Sequence, residues 1–232
     1  MIEETGMHNV LILRGEGRYA DPWHDFVATS DRLAGLVRDE GLEVRVSGAV
    51  EEELASLDDV DLLVLMVGNP TRHGLESSTF AAAQEGFEAY ARDGGSIWSH
   101  HVSATSFPHM PAWERVIGGR WVGGVSMHPE IGEALIEVPD TGHPITRGLG
   151  DFTVWDERYT HLRVSEAVHP LAFHEHEGVR HPVLWTHRSG LARVVYDALG
   201  HDVRSFDSPE RQILVRRSLG WLLGGETVDA LA

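Results

Sequence analysis

Apolar and polar positions alternate in a regular way over the first hundred residues. Short apolar runs predict strands over residues 10–13, 42–46, 62–67 and 96–99, and amphipathic stretches predict helices over residues 26–40 and 76–92. The run 62–67 is apolar throughout, which is typical of a strand buried on both faces of a parallel sheet. The alternation therefore predicts an α/β, flavodoxin-like parallel sheet flanked by helices on both faces.

The pattern changes near Arg120, where short strands and turns replace the long helices. Strands are predicted near residues 152–155, 159–162, 183–185 and 192–199. Ser208 followed by Pro209 is typical of a helix start, so a last helix is predicted from there to about residue 223. We interpret residues 1–232 as one domain with a strand-rich insertion.

Composition excludes several classes of function. Acidic residues number 36 against 19 Lys plus Arg, which gives a formal net charge of −17, so nucleic acid and anionic membranes are not expected as partners. The chain has no cysteine, which excludes disulfides, thiolate metal sites and a cysteine nucleophile. Residues 1–5 show no secretory signal, and the longest strongly apolar run is too short to span a bilayer, so we expect a cytoplasmic protein.

Histidines follow several of the predicted strands. His24 comes after the first, His73 after the third, His100 and His101 after the fourth, and His201 after the strand at 192–199. Ligands of open α/β sheets bind in the crevice beyond the carboxyl ends of the strands. A single exposed histidine is more often an ordinary surface residue, but imidazoles at four strand ends predict a functional crevice.

The second half of the chain offers further candidates. Of the neighbours Asp156 and Glu157, only one can point into the crevice from a regular strand, and we favour Glu157, although an exposed acidic corner fits the pattern equally well. His128 is either a cavity residue contributed by the insertion or an ordinary surface residue. The segment 174–177, His-Glu-His-Glu, is interpreted as a solvated acidic loop rather than a weak metal site. Trp121, Trp155 and Trp221 are interpreted as core or interface aromatics.

Several segments together resemble one known family. They are residues 94–104, 116–121, 128–129, 143–149, 156–159, 182–185 and 199–202. In content and order they resemble the ThuA-like trehalose-utilisation family, and the resemblance runs from the first strand to the final helix.

The resemblance implies a fold similar to that of class I glutamine amidotransferases. His101 then occupies the turn where those enzymes carry a cysteine, and His201 matches their retained histidine. Because this chain has no cysteine, glutamine hydrolysis by that triad is excluded. The resemblance further implies a role in bacterial catabolism of trehalose or related disaccharides and their 3-keto derivatives. A small sugar is the expected substrate, and a homo-oligomer is compatible with the family.

Two mechanisms fit these residues. In the first, His24, His101 and His201 hold a divalent metal such as zinc, which polarises a sugar carbonyl while Glu157 moves protons. In the second, no metal is bound, and His101 and His201 act as general acid and base.

The expected substrate contacts are His24 and His128, with Trp23 or Trp185 stacking on the sugar. A non-catalytic sugar-binding or scaffold protein that keeps the fold is the alternative, because fold alone does not imply function.

Overall fold

A computed structural model describes residues 8–74 and 77–224 of the chain. The strands are β1 Asn9–Arg14, β2 Glu43–Ser47, β3 Leu62–Met66, β4 Ser96–His100, β5 Gly119–Arg120, β6 Gly132–Ile136, β7 Phe152–Asp156, β8 Arg163–Val164, β9 His169–His176, β10 Val179–Ser189 and β11 Ala192–Asp197. The α-helices are α1 Phe26–Asp39, α2 Val50–Leu54, α3 Phe80–Arg92, α4 Pro111–Ile117 and α5 Pro209–Leu222.

A seven-stranded sheet forms the centre of the fold, in the order β2-β1-β3-β4-β11-β10-β9. The first five strands are parallel, β10 pairs with β11 in antiparallel orientation, and β9 pairs with β10 in antiparallel orientation. The predicted α/β sheet flanked by helices is confirmed, but the sheet is mixed rather than fully parallel. The hairpin β9–β10 lengthens it at one edge, a common arrangement for a doubly wound fold.

Local sequence explains the central elements. Every residue of β3 is buried, as its uninterrupted apolar run requires of a strand with neighbours on both sides and helices over it. The Asp25 carboxylate accepts the backbone N–H of Ala28 and caps α1. Ser208 caps α5, and Pro209 occupies its first turn, where the missing N–H costs nothing.

The insertion is built from small pairs of strands rather than from one sheet. β5 pairs with β8 and β6 pairs with β7, each as an antiparallel ladder. Residues 159–162, predicted as a strand, make only an isolated bridge between Thr160 and Met127, so that prediction is wrong. The predicted helix 76–92 is observed as α3, which begins at Phe80; residue 76 lies outside the described residues. Residues 1–5, in which no secretory signal is expected, also lie outside them.

The strand register brings four carboxyl ends to one edge of the sheet. Arg14 of β1 pairs with Met66 of β3, Leu65 pairs with Ser99 of β4, and His100 pairs with Asp197 of β11. The loops that follow these strands therefore meet above that edge. Among the described helices, none is long and apolar enough to cross a membrane.

Candidate active site

A cavity of about 510 Å³ lies at the edge where the strand ends meet. Loops from the parallel sheet supply one part of its wall, and the insertion supplies the other. Its lining residues are Trp23, His24, Arg72, Val102, Thr105, Trp121, His128, Glu157, Tyr159 and His201. The volume falls within the range of small-molecule sites, and the wall combines aromatic rings with a few converging polar groups, as such sites usually do.

His101 is held by its backbone at the end of β4. Its φ of 41° lies in the left-handed region, which places the residue in a sharp turn between the strand and the 3-10 helix His101–Thr105. The Tyr196 hydroxyl donates to the His101 carbonyl at 2.9 Å. Nδ1 lies 2.6 Å from the Ala198 carbonyl oxygen, which can only accept, so Nδ1 carries the proton. Nε2 faces the Tyr159 hydroxyl, 3.1 Å away.

His24 is oriented in the same way by a carboxylate. Its Nδ1 lies 2.7 Å from Asp21 Oδ1, and no hydrogen-bond partner of its buried Nε2 is found in residues 8–74 and 77–224. Burial lowers the pKa of His24, and the contact with Asp21 offsets this only in part. His24 therefore favours a neutral ring with a free Nε2 lone pair, the form that binds metals.

Glu157 joins the remaining imidazoles. Its Oε2 lies 3.4 Å from His101 Nε2 and 3.2 Å from His201 Nδ1, and its Oε1 lies 3.5 Å from His128 Nε2. Burial alone would raise the pKa of Glu157, but its contacts with His101 and His201 outweigh it and hold the pKa well below the usual range. In turn, burial lowers the pKa of His201, but the Glu157 carboxylate more than compensates and the net shift is upward.

The backbone around Glu157 and His201 is held by one buried carboxylate. Asp156 Oδ1 accepts the N–H groups of Glu157 at 2.8 Å and His201 at 3.1 Å, and Oδ2 accepts that of Gly200 at 2.8 Å. Asp156 is fully buried. It therefore ties the end of β7 in the insertion to the loop after β11, and fixes the two site residues relative to each other.

These elements gather four ligand-type side chains, of which His24, Glu157 and His201 line the cavity and His101 is buried beside them. One atom from each of His24, His101, Glu157 and His201 lies within 4.8 Å of the other three. The His24 ring centroid lies 5.1 Å from that of His101 and 4.8 Å from that of His201. Of the residues singled out in the sequence, Trp23 and His128 lie on the wall of the same cavity, Trp23 with 61% of its surface exposed.

Three residues that the sequence associates with the crevice do not line the cavity. Trp185 is fully buried, donates its indole N–H to the Ile117 carbonyl at 2.8 Å and stacks on Tyr196, so the expectation that it contacts a sugar is wrong. His100 is buried below the strand end, because successive strand residues point to opposite faces, and burial holds its pKa well below the usual range. His73 is exposed and does not line the cavity.

Five wall residues are not among the candidates that the sequence predicts: Arg72, Val102, Thr105, Trp121 and Tyr159. The sequence pattern gives Tyr159 and Arg72 no role and favours Trp121 as a core or interface aromatic. Tyr159 is buried with its ring 4.3 Å from that of His101 and 4.8 Å from that of Trp121. The available signal was the proximity of Tyr159 to Glu157 and of Arg72 to a strand end. Nothing local marks Trp121.

The His-Glu-His-Glu segment is not a solvated loop. It lies at the end of β9, and His174 is fully buried with its Nε2 2.9 Å from the Tyr159 carbonyl. The ring of His181 packs 5.4 Å from it, and His181 Nδ1 accepts the His161 N–H at 3.3 Å. The interpretation as a loop was wrong because the segment pairs with β10, and a strand turns alternate histidines inward.

We expect His181 to make the fold sensitive to acid. Burial lowers its pKa to about 4, so the folded state disfavours a proton that the unfolded chain binds at about pH 6.5. The stability that the neutral His181 gives to the folded state is therefore complete above pH 6.5, and it is lost as the pH falls toward 4. The free energy of unfolding of the wild type should fall between pH 7 and 4.5, and in His181→Gln that fall should be about 2 kcal/mol smaller. Urea unfolding at the two pH values measures it. The exposed His73→Gln is the control, and an unchanged pH slope in His181→Gln would contradict the expectation.

Comparisons with known proteins agree with this architecture. The sequence profile of the family described as "ThuA: Trehalose utilisation" matches residues 9–222. No curated protein matches the chain.

Solved structures share the fold at low sequence identity. A ThuA-like protein from Parabacteroides merdae superposes with a TM-score of 0.80 at 17% identity, over 97% of this chain and 92% of the other. A cytoplasmic protein from Salmonella typhimurium gives 0.65 at 13% identity, over 93% and 99%. A glutamine amidotransferase from Thermotoga maritima gives 0.57 at 10% identity, over 93% and 98%. Because the family profile spans nearly the whole chain, the protein belongs to the ThuA family.

Proposed function

We propose that this protein is an enzyme of carbohydrate catabolism that acts on the carbonyl or glycosidic bond of a keto-sugar, with a divalent metal at its centre. The observation that carries the proposal is the cluster of three imidazole nitrogens and one carboxylate oxygen within 4.8 Å of one another, with three of the four side chains on the cavity wall. The sugar class is supported by the family's description as trehalose utilisation. A cytoplasmic location is part of the proposal, in keeping with the Salmonella protein of the same fold.

The donor atoms of the cluster suit such an ion. His24 and His101 each have Nδ1 fixed by an acceptor, a carboxylate and a backbone carbonyl respectively, which leaves Nε2 to bind a metal. In the tetrahedral geometry usual for zinc, bonds of about 2.1 Å to nitrogen or oxygen place the ligand atoms about 3.4 Å apart. The widest pair, up to 4.8 Å apart here, would therefore approach by about 1.4 Å. Nitrogen and oxygen donors without sulfur suit zinc, and manganese less well.

The ion would polarise a substrate carbonyl or activate a bound water. Glu157 is placed to move protons, since its carboxylate lies among His101, His128 and His201. Tyr159 supplies a hydrogen-bond donor. Burial raises the pKa of its phenol well above the usual range, so the hydroxyl stays protonated and can donate to a substrate oxygen.

A mechanism without metal is supported by one contact of its own. His201 Nδ1 lies 3.2 Å from Glu157, and the resulting upward shift of its pKa favours the protonated form that a general acid needs. His101, through Nε2, would then be the base. The non-catalytic sugar-binding alternative is supported by the aromatic wall, where Trp23 and Trp121 offer ring faces to a sugar.

Metal content by elemental analysis tests the proposal directly. We expect untagged protein, equilibrated with zinc or manganese and then desalted, to keep about one ion per chain. The double variant His101→Ala, His201→Ala should keep less than about a tenth of that amount, because it loses two of four ligands. The matched control is His143→Ala, His169→Ala, a stacked pair outside the cavity, which should bind as the wild type does.

The outcomes separate the mechanisms. Absence of metal from the wild type overturns the metal-assisted mechanism. Turnover of 3-keto-disaccharides by such metal-free protein, lost in the His101→Ala, His201→Ala variant, would then support acid–base catalysis. Sugar binding without turnover, unaffected by that variant, would support the binding protein.

A further inference from the structure

Arg72 brings a fixed positive charge to the wall of the cavity. It lies in the 3-10 helix Pro70–His73 that follows β3, and its guanidinium stacks over the Trp23 ring at 4.2 Å from the centroid. The stack holds the planar fork in a defined orientation, and the group is charged at all physiological pH values. The chain as a whole carries a net charge of −17, so a cation at a binding cavity runs against the general charge of the molecule.

The donors of this guanidinium are not used by the protein. Within residues 8–74 and 77–224, Arg72 has one long ion pair, 3.7 Å to Asp21 Oδ2, and no hydrogen bond. Asp21 is itself engaged through Oδ1, which lies 2.7 Å from His24 Nδ1. The N–H groups of Arg72 therefore remain available to a ligand in the cavity.

A second arginine in the same chain shows what a purely structural stack looks like. Arg204 packs over Trp155 at 4.7 Å, outside the cavity, and its Nε and Nη2 donate to the Asp202 carboxylate. That guanidinium is neutralised by its neighbour in the chain. Arg72 has the same stacking geometry without the neutralising hydrogen bonds, and it lies on a wall shared with His24, Glu157 and His201.

We propose that the substrate is an anionic sugar whose carboxylate or phosphate group binds Arg72, with its reacting end at the cluster of His24, His101, Glu157 and His201. An oriented arginine fork matches the oxygens of either anion through paired hydrogen bonds. Asp21 contacts His24 on one side and Arg72 on the other, so one buried carboxylate aligns both ends of the site. This inference rests on the proposed function in one respect, that this cavity is where the substrate binds.

Binding of three monosaccharides of similar size tests the proposal. Calorimetric titration at low salt would use glucose, glucuronate and glucose 6-phosphate as the neutral, carboxylate and phosphate probes. We expect at least one anionic sugar to bind the wild type about tenfold more tightly than glucose, as a charge-assisted hydrogen bond predicts. The preferred anion identifies which of the two groups the site takes.

Arg72→Gln should abolish that preference, and Arg72→Lys should restore part of it, because lysine keeps the charge without the planar fork. Arg204→Gln is the matched control and should bind as the wild type does. The proposal is overturned if glucose binds as well as both anions, if the preference persists in Arg72→Gln, or if neither anion binds below about 10 mM.

These results are independent of metal content. Protein without metal that still shows an Arg72-dependent preference for anions would remove the metal mechanism and leave this inference standing. Protein with one metal per chain and no preference for anions would remove this inference and leave the metal mechanism standing.

Discussion

Replacing Asp156 by alanine is expected to lower the free energy of unfolding by about 3–5 kcal/mol. The buried carboxylate accepts three backbone N–H groups, those of Glu157, Gly200 and His201. Leaving a buried donor without an acceptor costs about 1–3 kcal/mol, and Asp156 is fully buried. Urea denaturation followed by circular dichroism measures the change.

Asp151→Ala provides the matched control. Asp151 is exposed and accepts a single backbone N–H, that of Val138, at 2.7 Å, so its loss should cost about 1 kcal/mol. Asp156→Asn should fall between the two, because the amide keeps one acceptor oxygen and presents N–H groups to the other donors. A loss below 1 kcal/mol in Asp156→Ala would show that the carboxylate does not hold these loops.

Replacing Glu157 by glutamine should have the largest effect on the chemistry of the site. The carboxylate favours the charged form of His201, so its removal should lower the pKa of His201. The sign follows directly, since a neutral amide no longer stabilises the imidazolium and the ring loses its proton at a lower pH. NMR titration of the imidazole signals in metal-stripped protein measures the shift without any knowledge of the substrate.

The same variant should reduce turnover of the substrate by about 10²–10⁴-fold, the usual loss when a positioned acid or base is removed. Glu133→Gln, an exposed carboxylate on β6, is the control and should change neither quantity. An unaltered titration of His201 in Glu157→Gln would mean that the 3.2 Å contact between them carries no electrostatic coupling in solution.

The parallel part of the sheet could be predicted from the sequence because its strands are buried on both faces. An apolar run such as that of β3 is typical of a strand buried on both faces of an α/β sheet. Once those strands are located, the crevice rule places the loops carrying His24, His101 and His201 together. The common edge of these three histidines therefore follows from pattern and topology, whereas His73 and His100 follow strands at the same edge but do not line the cavity.

The insertion was less predictable because its contacts are long-range. Tyr159 reaches His101 from an irregular segment that no periodicity marks, and Trp121 lines the cavity from a turn after a two-residue strand. The prediction that Trp185 contacts the sugar is wrong for a different reason. It was expected at a strand end, but β10 runs antiparallel to β11 and extends to Ser189, so the indole falls in the middle of the strand and packs inward.

The turn at His101 has a consequence for how such a site can change over evolutionary time. The backbone, through its φ of 41° and the hydrogen bond from Tyr196, decides where this side chain emerges, whatever the side chain is. A substitution here exchanges one reactive group for another at a fixed point in the crevice, with no need to rebuild the neighbouring strands. Unbranched side chains tolerate this backbone better than β-branched ones, so the range of chemistries open to the position is set by strain as well as by reactivity.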